Sequence, residues 1–149
     1  MTRILMVCLG NICRSPLAHG IMESKLPSDR FYVDSAGTAN YHIGSPPDKR
    51  SVSVAKKYGI DISMQRGRQF KHSDFEDFDI IFTMDSSNYV NVVRIARTQT
   101  EAGKVKMLLE ETDLGVAEVP DPYYGNDSGF EDVYHLLDKA CTQIAKRLL

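Results

Sequence analysis

The first 34 residues of the chain carry the pattern that most restricts its fold. Residues 3–7 (RILMV) form an apolar run without polar alternation, which predicts a strand buried on both faces. Residues 17–26 then place apolar side chains on one face of a helix, and residues 31–34 (FYVD) predict a second strand. A strand, a helix and a strand within about 30 residues predict a right-handed crossover between two parallel strands.

A serine and two prolines mark the ends of this first helix. We expect Ser15 to be its N-cap and Pro16 to take the first helical position, where a missing N–H costs nothing. Pro27 should end the helix, because the residue before a proline avoids helical backbone.

The same alternation of helices and strands continues to the C-terminus. Ser45 begins a helix-start pattern with an acid three residues later, Gly59 should stop that helix, and Asp85 should cap the next one. The predicted elements are helices over 45–58, 85–97 and 129–146 and strands over 79–84 and 105–108. Residues 1–149 are therefore expected to form a single α/β domain, a three-layer α/β/α fold with a four-stranded parallel sheet.

Composition excludes several classes of protein. The 149 residues are 42% hydrophobic, which suits one domain with a real core and argues against disorder. The net charge of −2 gives no general attraction to nucleic acid or to anionic membranes, and no apolar run is long enough to span a bilayer. Three cysteines, an odd number, do not suggest a disulfide framework, so we expect a reducing, cytoplasmic location.

The connection from the first strand to the first helix lies within VCLGNICRSP (residues 7–16) and predicts a phosphate-binding loop after strand 1. Ligands of open α/β sheets bind at the carboxyl ends of the strands, and a helix N-terminus attracts anions. Gly10 and Asn11 tolerate left-handed backbone, which lets a short loop curl round an anion, and Arg14 offers a fork for two phosphate oxygens. Cys8 at the base of the loop should be largely thiolate at neutral pH, and therefore nucleophilic towards a bound phosphoryl group.

The string VCLGNICRSP resembles the active-site signature of the low-molecular-weight protein tyrosine phosphatases. The resemblance continues in the same order over essentially the whole chain, through DSAGT (34–38), IGSPPDKR (43–50), RQF (68–70), MDSSN (84–88) and DPYYGNDSGFEDVY (121–134). It implies hydrolysis of protein phosphotyrosine through a phosphocysteine intermediate. Phosphotyrosine-containing proteins would be the substrates, with a tyrosine kinase of the same cell as one candidate. We expect no nucleic-acid or membrane partner, and a monomer or weak dimer.

The resemblance also implies the catalytic residues. Cys8 would be the nucleophile, and Arg14 would bind the phosphate and stabilise the transition state. Asp121 would be the general acid and then the general base. On the sequence alone, the Pro-Asp-Pro string around Asp121 is equally typical of a plain turn.

The remaining site residues follow from the same resemblance. Ser15 would donate a hydrogen bond to the leaving thiolate, and Asn11 would hold the strained loop, bonded in turn to Ser35. If the resemblance is set aside, Ser35 is better explained as a turn serine at a strand end. Leu9 and Ile12 are then better explained as ordinary packing residues under the loop. The expected phosphate-binding and pocket residues also include Leu9, Gly10, Ile12, Cys13, Tyr41, Tyr123 and Tyr124.

A histidine position marks the clearest departure of this chain from the family that it resembles. Many members carry a histidine that supports the asparagine–serine network, and this chain has Met64 and Gln65 in that segment. Gln65 can still hydrogen-bond, so we expect an altered network in an active enzyme. His42 occupies a position that affects specificity. We expect the other histidines (His19, His72 and His135) on the surface, and no His, Cys and Asp group has metal-ligand spacing, so we expect neither a metal nor another cofactor.

Three other functions use similar features. An arsenate reductase needs resolving cysteines on a mobile segment, whereas Cys141 lies in the middle of a predicted helix. A phosphoarginine phosphatase of this family would carry a polar residue in place of Ile12. A non-catalytic phosphate-binding module would have no need of Cys8, Arg14 and Asp121 together.

The second cysteine of the loop, Cys13, is not required for hydrolysis. One interpretation is a small apolar residue packed beneath the loop. The other is redox protection, in which Cys13 forms a reversible disulfide with an oxidised Cys8 before irreversible oxidation occurs. A loop curled round a phosphate would bring the two residues near each other, as a disulfide requires.

Overall fold

Four parallel strands form one sheet in a computed structural model that describes residues 1–149. Strand β1 (Thr2–Cys8) lies between β2 (Phe31–Gly37) and β3 (Ile80–Thr83), and β4 (Val105–Met107) pairs with β3. The chain leaves β1 towards one edge of the sheet and later returns to its other side. The carboxyl end of β1 is therefore the point where the strand order reverses, which is where ligands bind in open α/β sheets.

Helices and short helical turns connect the strands. They are α1 (Arg14–Lys25), α2 (Lys49–Lys57), α3 (Asp74–Asp77), α4 (Ser86–Ile95), α5 (Gln99–Gly103), a 3₁₀ turn (Leu108–Glu111) and α6 (Asp127–Leu148). None of these helices combines the length and the apolar character needed to cross a membrane.

Strand β1 supplies side chains to two separate cores. Ile4 and Met6 belong to a larger core that includes buried residues of α1, α2 and α6, while Leu5 and Val7 face a smaller core that includes Val92 of α4. All four β1 side chains are fully buried, as the apolar run without alternation predicts. Helices thus cover both faces of the sheet, and the predicted three-layer α/β/α fold is confirmed.

The start of α1 differs from the prediction. The helix begins at Arg14, with Cys13 in the N-cap position and no side-chain cap. Ser15 is therefore inside the first turn, where its hydroxyl bonds to the loop below instead of capping the helix. Pro16 is the third helical residue, which is still tolerated because the first four N–H groups of a helix have no intrahelical partner. The predicted end before Pro27 is confirmed.

The start of α2 also differs. The helix begins at Lys49, not at Ser45, and its cap is Asp48, whose carboxylate accepts a hydrogen bond from the Arg50 N–H at 2.9 Å. Pro46 and Pro47 explain the delay, because the residue before each proline is kept out of helical backbone. Gly59 has a left-handed φ of +85° just beyond the helix, as its predicted stopping role requires.

The other boundaries are closer to expectation. Asp85 caps α4 by accepting a hydrogen bond from the Asn88 N–H at 2.8 Å, and that helix ends at Ile95. Helix α6 begins two residues before Gly129. The short helices α3 and α5 were not predicted, since neither is long enough to show a helical period.

Candidate active site

The loop between β1 and α1 forms a concave backbone surface. Asn11 is the only non-glycine residue with a positive φ, +57°, and this left-handed residue turns the chain back on itself. The N–H groups of four loop residues, Leu9, Gly10, Ile12 and Cys13, donate to no protein acceptor, and all four residues line one pocket. Unpaired N–H groups around a concavity at a helix N-terminus form a binding site for an anion.

The Cys8 sulfur lies at the base of this pocket and receives two hydrogen-bond partners. The N–H of Asn11 donates to it at 3.3 Å, and the Ser15 hydroxyl lies 3.0 Å away. Because the Asn11 amide donates to the Ser15 oxygen at 2.8 Å, the hydroxyl proton of Ser15 is free to point at the sulfur. Its alternative acceptor, the carbonyl of Ala36, is more distant at 3.4 Å. Both donors stabilise negative charge on the sulfur.

The backbone of Arg68 holds the side-chain oxygen of Asn11. The Arg68 N–H donates to the Asn11 side-chain oxygen at 3.1 Å. The Arg68 guanidinium is fixed by Asp34 at 3.3 Å and by Asp74, which accepts two hydrogen bonds at 3.1 Å. Asn11 therefore uses both ends of its amide, and the loop conformation is anchored to β2 and α3 through Arg68.

The predicted bond between Asn11 and Ser35 is wrong. Ser35 is buried, and its hydroxyl pairs with His19 Nδ1 at 3.2 Å. His19 is correspondingly not a plain surface residue: its side chain is only 11% exposed, and its Nε2 lies 3.4 Å from Glu23. Ser35 thus supports α1 beside the loop and does not bond to the loop asparagine.

The segment that departs from the family pattern contacts α1. Gln65 does hydrogen-bond, as expected, but its amide donates to the backbone carbonyl of Pro16 at 3.2 Å. Met64 is 81% exposed. His72 and His135 lie away from the pocket, where they pair with Glu101 and Glu131, respectively.

Arg14 is a buried cation that joins three segments at the pocket floor. Its side chain is 3% exposed; one terminal nitrogen donates to Asp85 at 2.6 Å and to the carbonyl of Val119 at 3.0 Å. Its other terminal nitrogen lies 3.6 Å from an Asp121 oxygen. Burial alone would lower the pKa of Arg14, but the negative charges of Cys8, Asp85 and Asp121 raise it, so the guanidinium stays charged.

Asp121 reaches the pocket from the segment before α6. Its other carboxylate oxygen accepts a hydrogen bond from the Tyr123 N–H at 3.0 Å, a turn of the kind that aspartate favours. The preceding segment is fixed next to the end of β3 and to α4. The Val119 N–H donates to the carbonyl of Met84, which directly follows β3, and Glu118 accepts from Ser86 of α4. Asp121 therefore faces the Cys8 end of the pocket while remaining partly exposed to water.

Apolar and aromatic side chains form the pocket walls. The volume is about 230 Å³, and the lining residues are Cys8, Leu9, Gly10, Ile12, Cys13, Arg14, Tyr41, His42, Asp121, Tyr123 and Tyr124. Tyr123 and Tyr124 meet edge to face, with ring centroids 5.0 Å apart. Of the predicted site residues, only Asn11, Ser15 and Ser35 are outside this lining, where they support the loop or α1.

Sequence reasoning missed two supporting residues. Asp85 was predicted only as a helix cap, although it also binds Arg14. Arg68 has no local signal that separates it from any other surface arginine, because its role depends on partners 57 and 34 positions away. No group of three or more His, Cys, Asp or Glu side chains is arranged to hold a metal ion.

The three cysteines differ in environment, and all are free thiols. Burial raises the pKa of Cys13 to about 12, with further contributions from the negative charges of Asp48, Cys8 and Asp121. Burial likewise raises the pKa of Cys141, fully enclosed within α6 packing, to about 12. Cys13 and Cys141 therefore remain protonated at neutral pH, which leaves Cys8 as the candidate nucleophile.

The chain is similar to proteins of one family over almost its whole length. Residues 3–149 match the model of the family "Low molecular weight phosphotyrosine protein phosphatase". Proteins of that name from Schizosaccharomyces pombe and Homo sapiens are 43% and 41% identical to this chain, covering 89% and 93% of it and 87% and 90% of their own lengths. A crystal structure of a protein tyrosine phosphatase from Entamoeba histolytica, with Hepes in its active site, superposes with a TM-score of 0.94 at 36% identity, covering 99% of this chain and 97% of that one.

Alkylation should distinguish the three thiols. At pH 7 we expect iodoacetamide to modify Cys8 and to leave Cys13 and Cys141 unmodified, since their pKa of about 12 keeps them protonated. Inorganic phosphate should slow the reaction by occupying the loop. Peptide mass spectrometry of the native protein measures each site. Modification of Cys13 at a rate equal to that of Cys8 would contradict the assignment.

Proposed function

The chain belongs to the low molecular weight phosphotyrosine protein phosphatase family, and we propose that it hydrolyses phosphotyrosine in proteins through a phosphocysteine intermediate. One observation carries the proposal. A cysteine sulfur with two hydrogen-bond partners, four unpaired loop N–H groups, a buried arginine and an aspartate converge on a single aromatic-walled pocket. Each of these groups has a task in phosphate ester hydrolysis.

The first step transfers the phosphoryl group to Cys8. The loop N–H groups and the Arg14 guanidinium bind the phosphate oxygens and stabilise the charge that develops on them. The Cys8 thiolate attacks phosphorus, an S–P bond forms, and the bond from phosphorus to the tyrosine oxygen breaks. Asp121, in its protonated form, gives its proton to that departing oxygen, and tyrosine leaves.

The second step hydrolyses the phosphocysteine. The Asp121 carboxylate takes a proton from a water molecule, whose oxygen attacks phosphorus. The S–P bond breaks, its electron pair returns to sulfur, and inorganic phosphate leaves. The Ser15 hydroxyl, 3.0 Å from the sulfur, donates a hydrogen bond to the departing thiolate, and the Asn11 N–H does the same from the loop.

Pocket depth and wall chemistry support an aryl substrate. Cys8 lies at the base, whereas Tyr41, Tyr123 and Tyr124 stand at the mouth, so a long phosphotyrosine reaches the sulfur and a short phosphoserine does not. Aromatic walls suit a phenyl ring. Apolar Ile12 favours this substrate over phosphoarginine. The enclosed position of Cys141 in α6 gives no mobile resolving thiol of the kind that an arsenate reductase needs.

The proposal also covers redox regulation, cellular location, protein substrates and oligomeric state. Cys13 is protonated, buried and close enough to Cys8 for the Cys8 charge to affect its pKa, which supports a role as a resolving thiol after oxidation of Cys8. Three free cysteines suit a reducing, cytoplasmic location. We propose phosphotyrosine proteins, including tyrosine kinases, as substrates and a monomer or weak dimer as the working form.

Replacing Asp121 should lower kcat/KM by a factor that depends on the leaving group of the substrate. In Asp121→Asn, we expect kcat/KM for a phosphotyrosine peptide to fall by about 10²–10⁴-fold, the usual contribution of a general acid. The loss should be smaller for 2,4-dinitrophenyl phosphate, whose leaving group needs no proton. Steady-state kinetics on both substrates is the measurement. Equal losses would show that Asp121 has another role.

Peroxide should inactivate the enzyme reversibly through Cys13. Oxidation of Cys8 by peroxide gives a sulfenic acid with water as the by-product; the Cys13 thiol then displaces hydroxide from that sulfur, forming the disulfide and a second water. A thiol reductant should restore activity by exchange. In Cys13→Ser, basal turnover should largely survive while recovery is mostly lost. Mass spectrometry of the loop peptide should find a Cys8–Cys13 link in the wild type, and full recovery in Cys13→Ser would leave Cys13 a packing residue.

A further inference from the structure

Arg50 of α2 contacts the segment that carries Asp121. The Arg50 guanidinium donates to the backbone carbonyl of Tyr123 at 3.0 Å and to that of Gly125 at 3.2 Å. Both carbonyls belong to the acid loop, defined here as residues 121–126, which begins with Asp121 and leads into α6. The same guanidinium lies 4.4 Å from the ring centroid of Phe130, in the first turn of α6.

Arg50 is itself fixed to the phosphate-binding loop. Its Nε and one terminal nitrogen donate to the two carboxylate oxygens of Asp48, both at 3.0 Å, in a forked pair. The backbone N–H of Asp48 in turn donates to the carbonyl of Ile12 at 2.8 Å. An unbroken chain of contacts therefore runs from the loop that surrounds Cys8, through Asp48 and Arg50, to the loop that carries Asp121.

The acid loop has few other attachments. Within it, the Tyr123 N–H donates to Asp121 and the Gly125 N–H to the Pro122 carbonyl, and both contacts are internal. For residues 122–126, the only hydrogen bonds to partners outside the loop and the first turn of α6 come from Arg50. Tyr124, two residues beyond Pro122, is 93% exposed. Without Arg50, the loop after Asp121 would be fixed mainly by Pro122 and by α6.

A surface ion pair alone would not support a functional role. The Arg50 side chain is 32% exposed, and exposed pairs contribute little to stability. The geometry here differs, because the planar guanidinium contacts a carboxylate and two carbonyls at once, which a lysine ammonium cannot reproduce. The hydrogen bond from Arg50 also lowers the pKa of Asp48, the direction expected for a carboxylate paired with a guanidinium.

We propose that Arg50 is a positioning residue that holds the acid loop against the phosphate-binding loop, so that Asp121 reaches the departing oxygen of the substrate. This inference rests on the proposed function, because it assigns Arg50 an effect that operates through the general acid. Arg50 itself does not line the pocket; it contacts the lining residue Tyr123 from outside, through the Tyr123 carbonyl and at 5.7 Å from the ring centroid.

The test compares Arg50→Met with two matched variants. Methionine keeps an unbranched stem over Phe130 without donors, Arg50→Lys keeps the charge without the fork, and Lys49→Met removes a neighbouring exposed charge. For Arg50→Met we expect kcat/KM on phenyl phosphate, whose leaving group needs a proton, to fall by about 10- to 100-fold, the scale of a misplaced catalytic group. On 2,4-dinitrophenyl phosphate the loss should stay within about three-fold, Arg50→Lys should be intermediate, and Lys49→Met should match the wild type.

A double variant separates positioning from a general structural effect. If Arg50 acts through Asp121, adding Arg50→Met to Asp121→Asn should lower kcat/KM on phenyl phosphate little further, whereas independent effects would multiply. Equal losses of Arg50→Met on both substrates, multiplying effects, or wild-type kinetics in both Arg50 variants would overturn the inference. If Asp121→Asn itself shows no dependence on the leaving group, the proposed acid is wrong, and that result is distinct from a failure at Arg50.

Discussion

The left-handed backbone of Asn11 is the constraint on which the active site depends. A non-glycine residue with a φ of +57° is unfavourable unless its surroundings stabilise it, and here both ends of the Asn11 amide are hydrogen-bonded, to Ser15 and to the backbone of Arg68. The resulting turn leaves neighbouring loop N–H groups unpaired and points the Asn11 N–H at the Cys8 sulfur. One backbone conformation thus creates the concave anion site and also stabilises negative charge on Cys8, the proposed nucleophile.

The second constraint is the burial of Arg14. A buried guanidinium is costly unless it is paired and hydrogen-bonded, and its partners come from the α4 cap, Asp85, and from the carbonyl of Val119 just before the acid loop. Satisfying Arg14 therefore brings a distant segment of the chain to the first loop. Asp121 reaches the pocket because that segment is docked, and Arg50 fixes the part of the loop that follows it.

The sequence predicted those features that depend on local patterns. β1 and the crossover to β2 follow from an apolar run and a helical period, and the site residues follow from motifs that resemble one family along the whole chain. Ser15 was predicted wrongly as a cap because a buried sulfur and the Asn11 amide compete for its hydroxyl, which a local pattern cannot show. His19 gave no signal either, since its partner Ser35 lies on β2. In both cases the decisive contact is made with a side chain that lies outside helix α1, in the preceding loop or strand for Ser15 and on β2 for His19.

The most direct test of the account is the chemical identity of the reaction intermediate. We mix wild-type protein with a ³²P-labelled phosphotyrosine peptide and quench the reaction within milliseconds in alkaline detergent. Label should then be found on the peptide that contains Cys8. That label should be lost in mild acid and retained in alkali, as expected of a phosphoryl group bound to sulfur. The same experiment with Cys8→Ser should give no labelled protein and no turnover, because a serine hydroxyl remains protonated. Label on any residue other than Cys8, or phosphotyrosine turnover by a verified Cys8→Ser protein, would contradict the central claim.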